Sequence, residues 1–318
     1  MACDTIAAKN MLLGLQLNSY PSSEYGNPFD TLLAVVQASE QAGLDSVWMA
    51  DHFMFPDVQH PEREVPVMEC YITLAAVAAL TRRIRIGELV TGVPYRNPAL
   101  LAKMAATLDV ISHGRSIVGL GAAWHEPEFK AYGWPFPPLR ERMEMLEEAT
   151  QVMDRLLAQR PASFHGKYYT VQDAYNDPAP VQKPRPPIMI GGSGERVTLR
   201  LVAQYAEFSN VFGDPATVAH KFDVLRQHCA AVGRPFDHIT RCNHTGIMIA
   251  RDETALEAKR KRFPRFEGVA GTPEQVIAQL VAYARAGSQY VTFNLVDDAP
   301  VEAIVLLGKS VVPRVAAL

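Results

Sequence analysis

Eight short runs of apolar and β-branched residues alternate in strict order with eight stretches of helical periodicity, and no other feature restricts the fold of this chain as strongly. The strand candidates are 12–18 (LLGLQLN), 46–50 (SVWMA), 84–91 (IRIGELVT), 115–121, 188–191, 208–212, 239–250 and 290–295. Between them lie helix candidates at 28–41, 67–80, 97–111, 139–159, 195–205, 214–231, 272–286 and 300–315. In the first of these, Phe29, Leu32, Leu33, Val36 and Ala38 recur at helical spacing. Asn97 with Pro98, and Thr272 with Pro273 and Glu274, read as a cap followed by a first-turn proline. Eight strand–helix units predict an α/β fold, a (β/α)8 TIM barrel forming one domain over residues 1–318. An open doubly wound sheet is the structural alternative, but the Gly-x-Gly-x-x-Gly turn it would carry is absent after the first strand.

Two insertions interrupt the alternation. The aromatic and proline-rich segment 122–138 follows the fourth strand and leaves the end of the barrel where active sites form, so it is expected to be a lid. Segment 161–187, before the fifth strand, contains a hairpin-like stretch at 163–171 and is expected to be structural.

Composition removes several functions. A net charge of −3 gives no electrostatic basis for nucleic-acid binding, and no apolar run approaches the ~20 residues of a membrane span. Residues 1–10 lack the pattern of a secretory signal. Cys3, Cys70, Cys229 and Cys242 form no Cys-x-x-Cys motif and read as reduced thiols of a cytoplasmic protein. No metal-ligand spacing and no Gly-x-Ser-x-Gly elbow occurs, which disfavours metallohydrolase and serine-hydrolase chemistry.

In a barrel, strand ends decide function. Asp51 and His52 close the second strand, and an acid beside an imidazole suits proton transfer. On these two residues alone, a strand-end cap and a buried hydrogen-bonding histidine account for them equally well. Gly191-Gly192-Ser193-Gly194 follows the fifth strand and opens a helix, which is either a tight turn or a phosphate cradle. Asn18, Phe212, His244 and Asn294 are further strand-end residues, each more readily structural. His125 is expected on the surface of the lid, and His113 at the opposite end of the barrel. The run Lys259-Arg260-Lys261-Arg262 reads as a solvated helix end, with attraction of an acidic partner as the sharper alternative.

The phrases DSVWMADHF (45–53), GELVTGVPYRNP (87–98), GLGAAW (119–124), FPPLRERMEMLEEA (136–149) and PRPPIMIGGSGERVTLRLVAQYAEFSNVFGDP (184–215) together resemble the bacterial luciferase-like monooxygenase superfamily. The resemblance continues through GTPE (271–274) and YVTFN (290–294), and within the superfamily the chain is similar to the actinobacterial coenzyme F420-dependent oxidoreductases.

That resemblance implies that His52 faces a deazaflavin or flavin ring, with Asp51 as the acid that orients it. It implies a non-proline cis peptide near Leu89–Val90 supporting the ring, a ring site extending over Thr91 and Gly92, and the cofactor phosphate at Gly191, Gly192, Ser193 and Gly194. Sugar-phosphate dehydrogenases of the family carry Glu just after the strand-four Gly-x-Gly. Trp124 stands there in this chain, with Glu126 and Glu128 beyond. The departure points to a flatter, more apolar small-molecule substrate against Trp124, Tyr132 and Trp134. The implied function is hydride transfer with coenzyme F420, in a homodimer. The alternatives are a flavin mononucleotide (FMN) monooxygenase fed by a separate reductase, and a non-catalytic binding barrel.

Overall fold

The computed structural model describes residues 11–17, 26–57 and 64–317. Eight parallel strands close into a barrel: β1 (Leu12–Leu17), β2 (Ser46–Met49), β3 (Arg85–Glu88), β4 (Ser116–Gly121), β5 (Ile188–Gly191), β6 (Phe208–Phe212), β7 (Thr240–Ile249) and β8 (Tyr290–Leu295). Each pairs with the next, and β8 returns to β1 with Leu12 opposite Tyr290. The strands are covered on both faces, which is why they read as continuous apolar runs rather than alternating ones. One apolar cluster, including Trp48, Ile117, Met189, Phe208, Cys242 and Tyr290, fills the lumen. A larger one lies between the strands and the helices around them.

Eight helices follow the strands: α1 (Pro28–Gln41), α2 (Cys70–Leu80), α3 (Pro98–Ile111), α4 (Leu139–Ala158), α5 (Thr198–Tyr205), α6 (Pro215–Val232), α7 (Pro273–Arg285) and α8 (Pro300–Ser310). Their ends carry the caps the sequence advertises. Asn97 accepts from the Ala99 N–H at 2.9 Å, Asp214 from the Thr217 N–H at 2.8 Å, and Thr272 with Gln275 forms a capping box. The N-terminal end of the lumen is stoppered by Arg85. It lies 5.6 Å and 5.7 Å from the Phe208 and Tyr290 ring centroids and pairs with Asp45.

The structure departs from the sequence expectation in five places. The third strand is not continuous to residue 91. It stops at Glu88, passes through a cis Leu89–Val90 peptide, and resumes at Thr91–Gly92, which pairs with Leu120–Gly121. The cis bond falls where the resemblance puts it. Helix α2 begins at Cys70 rather than 67, because Glu69 caps it through the Ile72 N–H. Helix α5 begins at Thr198 rather than 195. A short strand, Val269–Gly271, pairs with the far half of β7, which at ten residues outruns the barrel. The last helix divides at Val311, since Pro313 cannot continue it.

The first insertion holds a one-and-a-half-turn helix, Glu126–Ala131. The second holds the anticipated hairpin, Ala162–His165 with Thr170–Ala174, fastened to α4 by three backbone N–H groups donating to Glu148. Asn18 lies outside the described residues.

Candidate active site

A cavity of about 300 Å³ opens at the C-terminal ends of the strands. Its floor is the Leu89–Val90 peptide. The Val90 side chain lies against the ends of β4 and β5, and it fits there only because its neighbours lack side chains. A Cβ built on Gly121 would stand 2.5 Å from a Val90 methyl, and one on Gly191 2.9 Å from the other. Both glycines line the cavity, with Ala122, Ala123 and Trp124 from the start of the lid.

His52 stands in the wall. Its Nδ1 lies 2.8 Å from Glu128 Oε1, a carboxylate carried by the lid helix 76 residues further along the chain. The same carboxylate accepts the Tyr95 hydroxyl and the backbone N–H groups of Phe53 (2.8 Å) and Met54 (3.3 Å). Burial opposes ionisation of Glu128, but the hydrogen bonds from His52, Tyr95 and Phe53 outweigh it and hold the carboxyl below its usual range. Phe55 and Trp124 meet the imidazole edge-on at 5.0 Å and 5.4 Å.

Asp51 also lines the cavity, but it does not orient His52. The Asp51 carboxylate takes a two-pronged ion pair from Arg96, at 2.6 Å and 3.0 Å, and Arg96 also grips Glu69 at 2.6 Å. Burial pushes the Asp51 carboxyl up against the pull of Arg96. Beneath this group Glu88, fully buried, accepts the Gly119 N–H at 3.1 Å, and burial pushes its pKa up to about 8.

A polar relay crosses the lumen under the floor. The Leu89 carbonyl accepts from Gln16 Nε2 (2.9 Å), and Gln16 Oε1 accepts from Asn294 Nδ2 (2.9 Å). Asn294 Oδ1 meets His244 Nε2 (2.7 Å), His244 Nδ1 meets Thr292 Oγ1 (3.1 Å), and Thr292 Oγ1 accepts from Asn210 Nδ2 (2.8 Å). Burial lowers the His244 pKa to about 4, so the ring is neutral at pH 7. Asn210 lines the cavity, and its Oδ1 is buried with no hydrogen-bond partner.

The remaining sequence candidates divide. Leu89, Val90, Gly92, Gly191, Gly192 and Trp124 line the cavity. Thr91 does not, because its hydroxyl is held at 2.6 Å by Tyr71 below the floor. Ser193 and Gly194 lie on the turn just outside, where Ser193 Oγ accepts the Phe212 N–H. Of the three lid aromatics only Trp124, 60 % exposed, faces the opening. Trp134 turns inward against Phe53 (4.7 Å) and Tyr95 (5.8 Å) after a left-handed Gly133, and Tyr132 stacks on it at 4.9 Å. His125, expected at the surface, is 7 % exposed and packs beside Trp124. In the basic run, Lys259 pairs with Asp297 and Arg262 with Asp298, as a solvated helix end would. Sequence reasoning named Glu128 only as an acid beyond Trp124, and Tyr95 and Asn210 not as functional side chains. Their one sequence signal is position just past a strand end.

Comparison with known proteins follows the same outline. The family model for luciferase-like monooxygenases matches residues 12–267. The F420-dependent glucose-6-phosphate dehydrogenase of Kineococcus radiotolerans is 36% identical over 185 residues, 58% of this chain and 52% of that protein. The pyrimidine monooxygenase RutA of Stutzerimonas stutzeri is 32% identical over 219 residues, 67% of this chain and 58% of the relative. The chain thus spans about half the length of these curated relatives. An F420-dependent secondary alcohol dehydrogenase, solved with an F420-acetone adduct, superposes with a TM-score of 0.82 at 20% identity, over 98% of this chain and 99% of that one.

Proposed function

Because the chain belongs to the luciferase-like monooxygenase family, we propose that it is an oxidoreductase holding a tricyclic flavin-type ring, coenzyme F420 in preference to FMN, in the cavity at the barrel mouth. The residues present suit such a group. The Leu89–Val90 floor, flanked by glycines, offers an apolar platform for a flat ring. The unpartnered Asn210 Oδ1 offers an acceptor to the N–H on the polar edge that flavins and deazaflavins share. The Gly191–Gly194 turn, three residues before α5, lets backbone approach the phosphate of either cofactor closely.

Bound there, the reduced ring supplies a hydride, and the protein contributes placement and proton handling. His52 exchanges the proton with substrate. The aromatic wall of Trp124 and Phe55 keeps water from that exchange. The His52–Glu128 pair at the cavity wall is the observation that carries this reading.

The substrate class follows from charge. The cavity lining contains no Lys or Arg among the described residues. A sugar phosphate, the substrate named for the Kineococcus relative, would meet no cation there. An uncharged, largely apolar molecule seated against Trp124 fits instead.

A second reading, an FMN monooxygenase receiving reduced flavin from a separate reductase, draws on the similarity to RutA. Titration of the purified protein with coenzyme F420 and with FMN separates the two, since only the second reading requires tight FMN binding and oxygen uptake. Binding of neither would leave a non-catalytic barrel. His52→Ala is expected to lower turnover by roughly 10²-fold or more with little change in cofactor Kd. Near-normal turnover in that variant would remove His52 from the chemistry.

We also infer a homodimer through α2. Apolar residues surround this helix on all sides, with Ile72 75 % and Leu80 50 % exposed, and a helix of that kind is ordinarily covered.

A further inference from the structure

We propose that Glu128 is a positioning residue that fixes the His52 ring with a proton on Nδ1, so that Nε2 is the only nitrogen through which His52 exchanges protons, and that it does so only while the lid helix is docked. The turnover consequence rests on the reading of His52 as the proton carrier; the tautomer does not.

The argument begins with the valence of the carboxylate. Four groups converge on Glu128: His52 Nδ1, the Tyr95 hydroxyl, and the N–H groups of Phe53 and Met54. Two carboxylate oxygens offer about four acceptor sites, so every site is occupied. Backbone N–H groups can only donate, and they occupy Oε2. Burial and hydrogen bonding keep the Tyr95 phenol protonated, so it donates as well. Of the four, only His52 Nδ1 could take a proton from Glu128, and the three remaining donors already hold the carboxyl below its usual range despite its burial, so the group is an anion that only accepts. An imidazole nitrogen 2.8 Å from such an anion must carry hydrogen. In neutral His52 this leaves Nε2 bare; in the cation Nε2 carries the extra proton. In both forms Nδ1 keeps its own.

The placement of Glu128 makes this conditional. His52 and residues 53–54 follow β2, and Tyr95 follows β3, whereas Glu128 rides on the lid helix Glu126–Ala131 after β4. The carboxylate is fully buried. Withdrawing the lid by one residue's length would break all four bonds together and release the ring to either tautomer. His125 and Trp124, on the same segment, pack against the imidazole and move with it.

The test reads the tautomer directly. Protein labelled with ¹⁵N-histidine, without added cofactor, is examined by long-range ¹H–¹⁵N correlation at mildly alkaline pH, with the His52 signals assigned from their loss in His52→Gln. The wild type is expected to show a protonated Nδ1 and a bare Nε2. In Glu128→Gln the amide must turn either its oxygen or its NH2 toward the two backbone donors. The favourable choice points NH2 at His52, so the ring should shift wholly or partly to the Nε2–H form. Turnover should fall roughly 10²–10³-fold, with cofactor Kd within a few-fold of wild type. Glu128→Asp, which keeps the charge, should retain the Nδ1–H form and recover part of the turnover.

An Nε2–H tautomer in the wild type, or an unchanged tautomer in Glu128→Gln, overturns the proposal. If Glu128→Gln does not fold, the wild-type spectrum decides alone. If the tautomer behaves as described but His52→Ala turns over normally, the proton-carrier reading fails while the Glu128–His52 pairing stands.

Discussion

Two buried titratable side chains pull the pH dependence of stability in opposite directions. Glu88 releases its proton near 4.5 in an unfolded chain but keeps it to about 8 in the fold. Between those values the folded state binds the extra proton, so stability falls as pH rises, by at most about 1.4 kcal/mol per pH unit. His244 behaves in the reverse sense. Its folded pKa of about 4 lies below the ordinary 6.5, so its contribution is present above 6.5 and is lost as pH falls toward 4. Glu88→Gln cannot ionise and should flatten the alkaline side. Thermal melts at pH 7 and pH 8, above the range in which His244 contributes a slope, are expected to differ less for the variant than for the wild type. An equal loss in both proteins would mean that Glu88 is ionised within the fold. Asp51, buried beside the same cluster, has Arg96 as a direct counter-charge, and Glu88 accepts no comparable ion pair.

At the scale of elements, the ends of β3, β4 and β5 act as one piece around Val90. Replacing Gly121 with Val would place a Cβ 2.5 Å from the Val90 methyl, which must then leave its seat against β4 and β5. The expected result is a folded protein, since the clash lies at the mouth and not in the lumen, with cofactor affinity lowered at least ten-fold by titration. Unchanged affinity would show that the floor does not contact the ring. The barrel itself was legible because each strand–helix unit carries local start and stop chemistry, such as Asn97 with Pro98 or Asp214 with Pro215. The cis peptide and the glycine turn came from the family phrases rather than from spacing. Glu128 was not legible, because its role depends on a bond to a residue 76 positions away. The partner of Asp51 was not legible either, because its carboxylate is held by Arg96, 45 positions away. Trp134 was misplaced because the left-handed turn at Gly133 reverses the lid and carries the indole toward Phe129.

For the whole molecule, the outer ring of helices is unevenly finished. α2 and the neighbouring α3 present Ile72, Leu80 and Leu100 outward, while α4 presents a charged face through Arg140, Glu144 and Glu147. Ile72→Glu should therefore convert a dimer to a monomer in analytical ultracentrifugation without unfolding it. A monomeric wild type would discard the α2 interface. Inside the ring, the relay under the cavity has a direction. Neutral His244 gives its Nε2 hydrogen to Asn294 Oδ1, and the one hydrogen of the Thr292 hydroxyl is shared between His244 Nδ1 (3.1 Å) and the Asn243 carbonyl (3.3 Å). When that hydrogen turns to His244, every donor from Asn210 onward points the same way, ending on the Leu89 carbonyl. Turning over the Gln16 or Asn294 amide would set hydrogen against hydrogen at its neighbour, so that stretch of the arrow cannot be reversed piecemeal. Aligned bonds polarise one another, and electron density gathers at the tail of the arrow, on Asn210 Oδ1. Whatever donates to that oxygen meets an acceptor whose strength is set partly by Asn294 and Gln16, two and three strands away around the barrel.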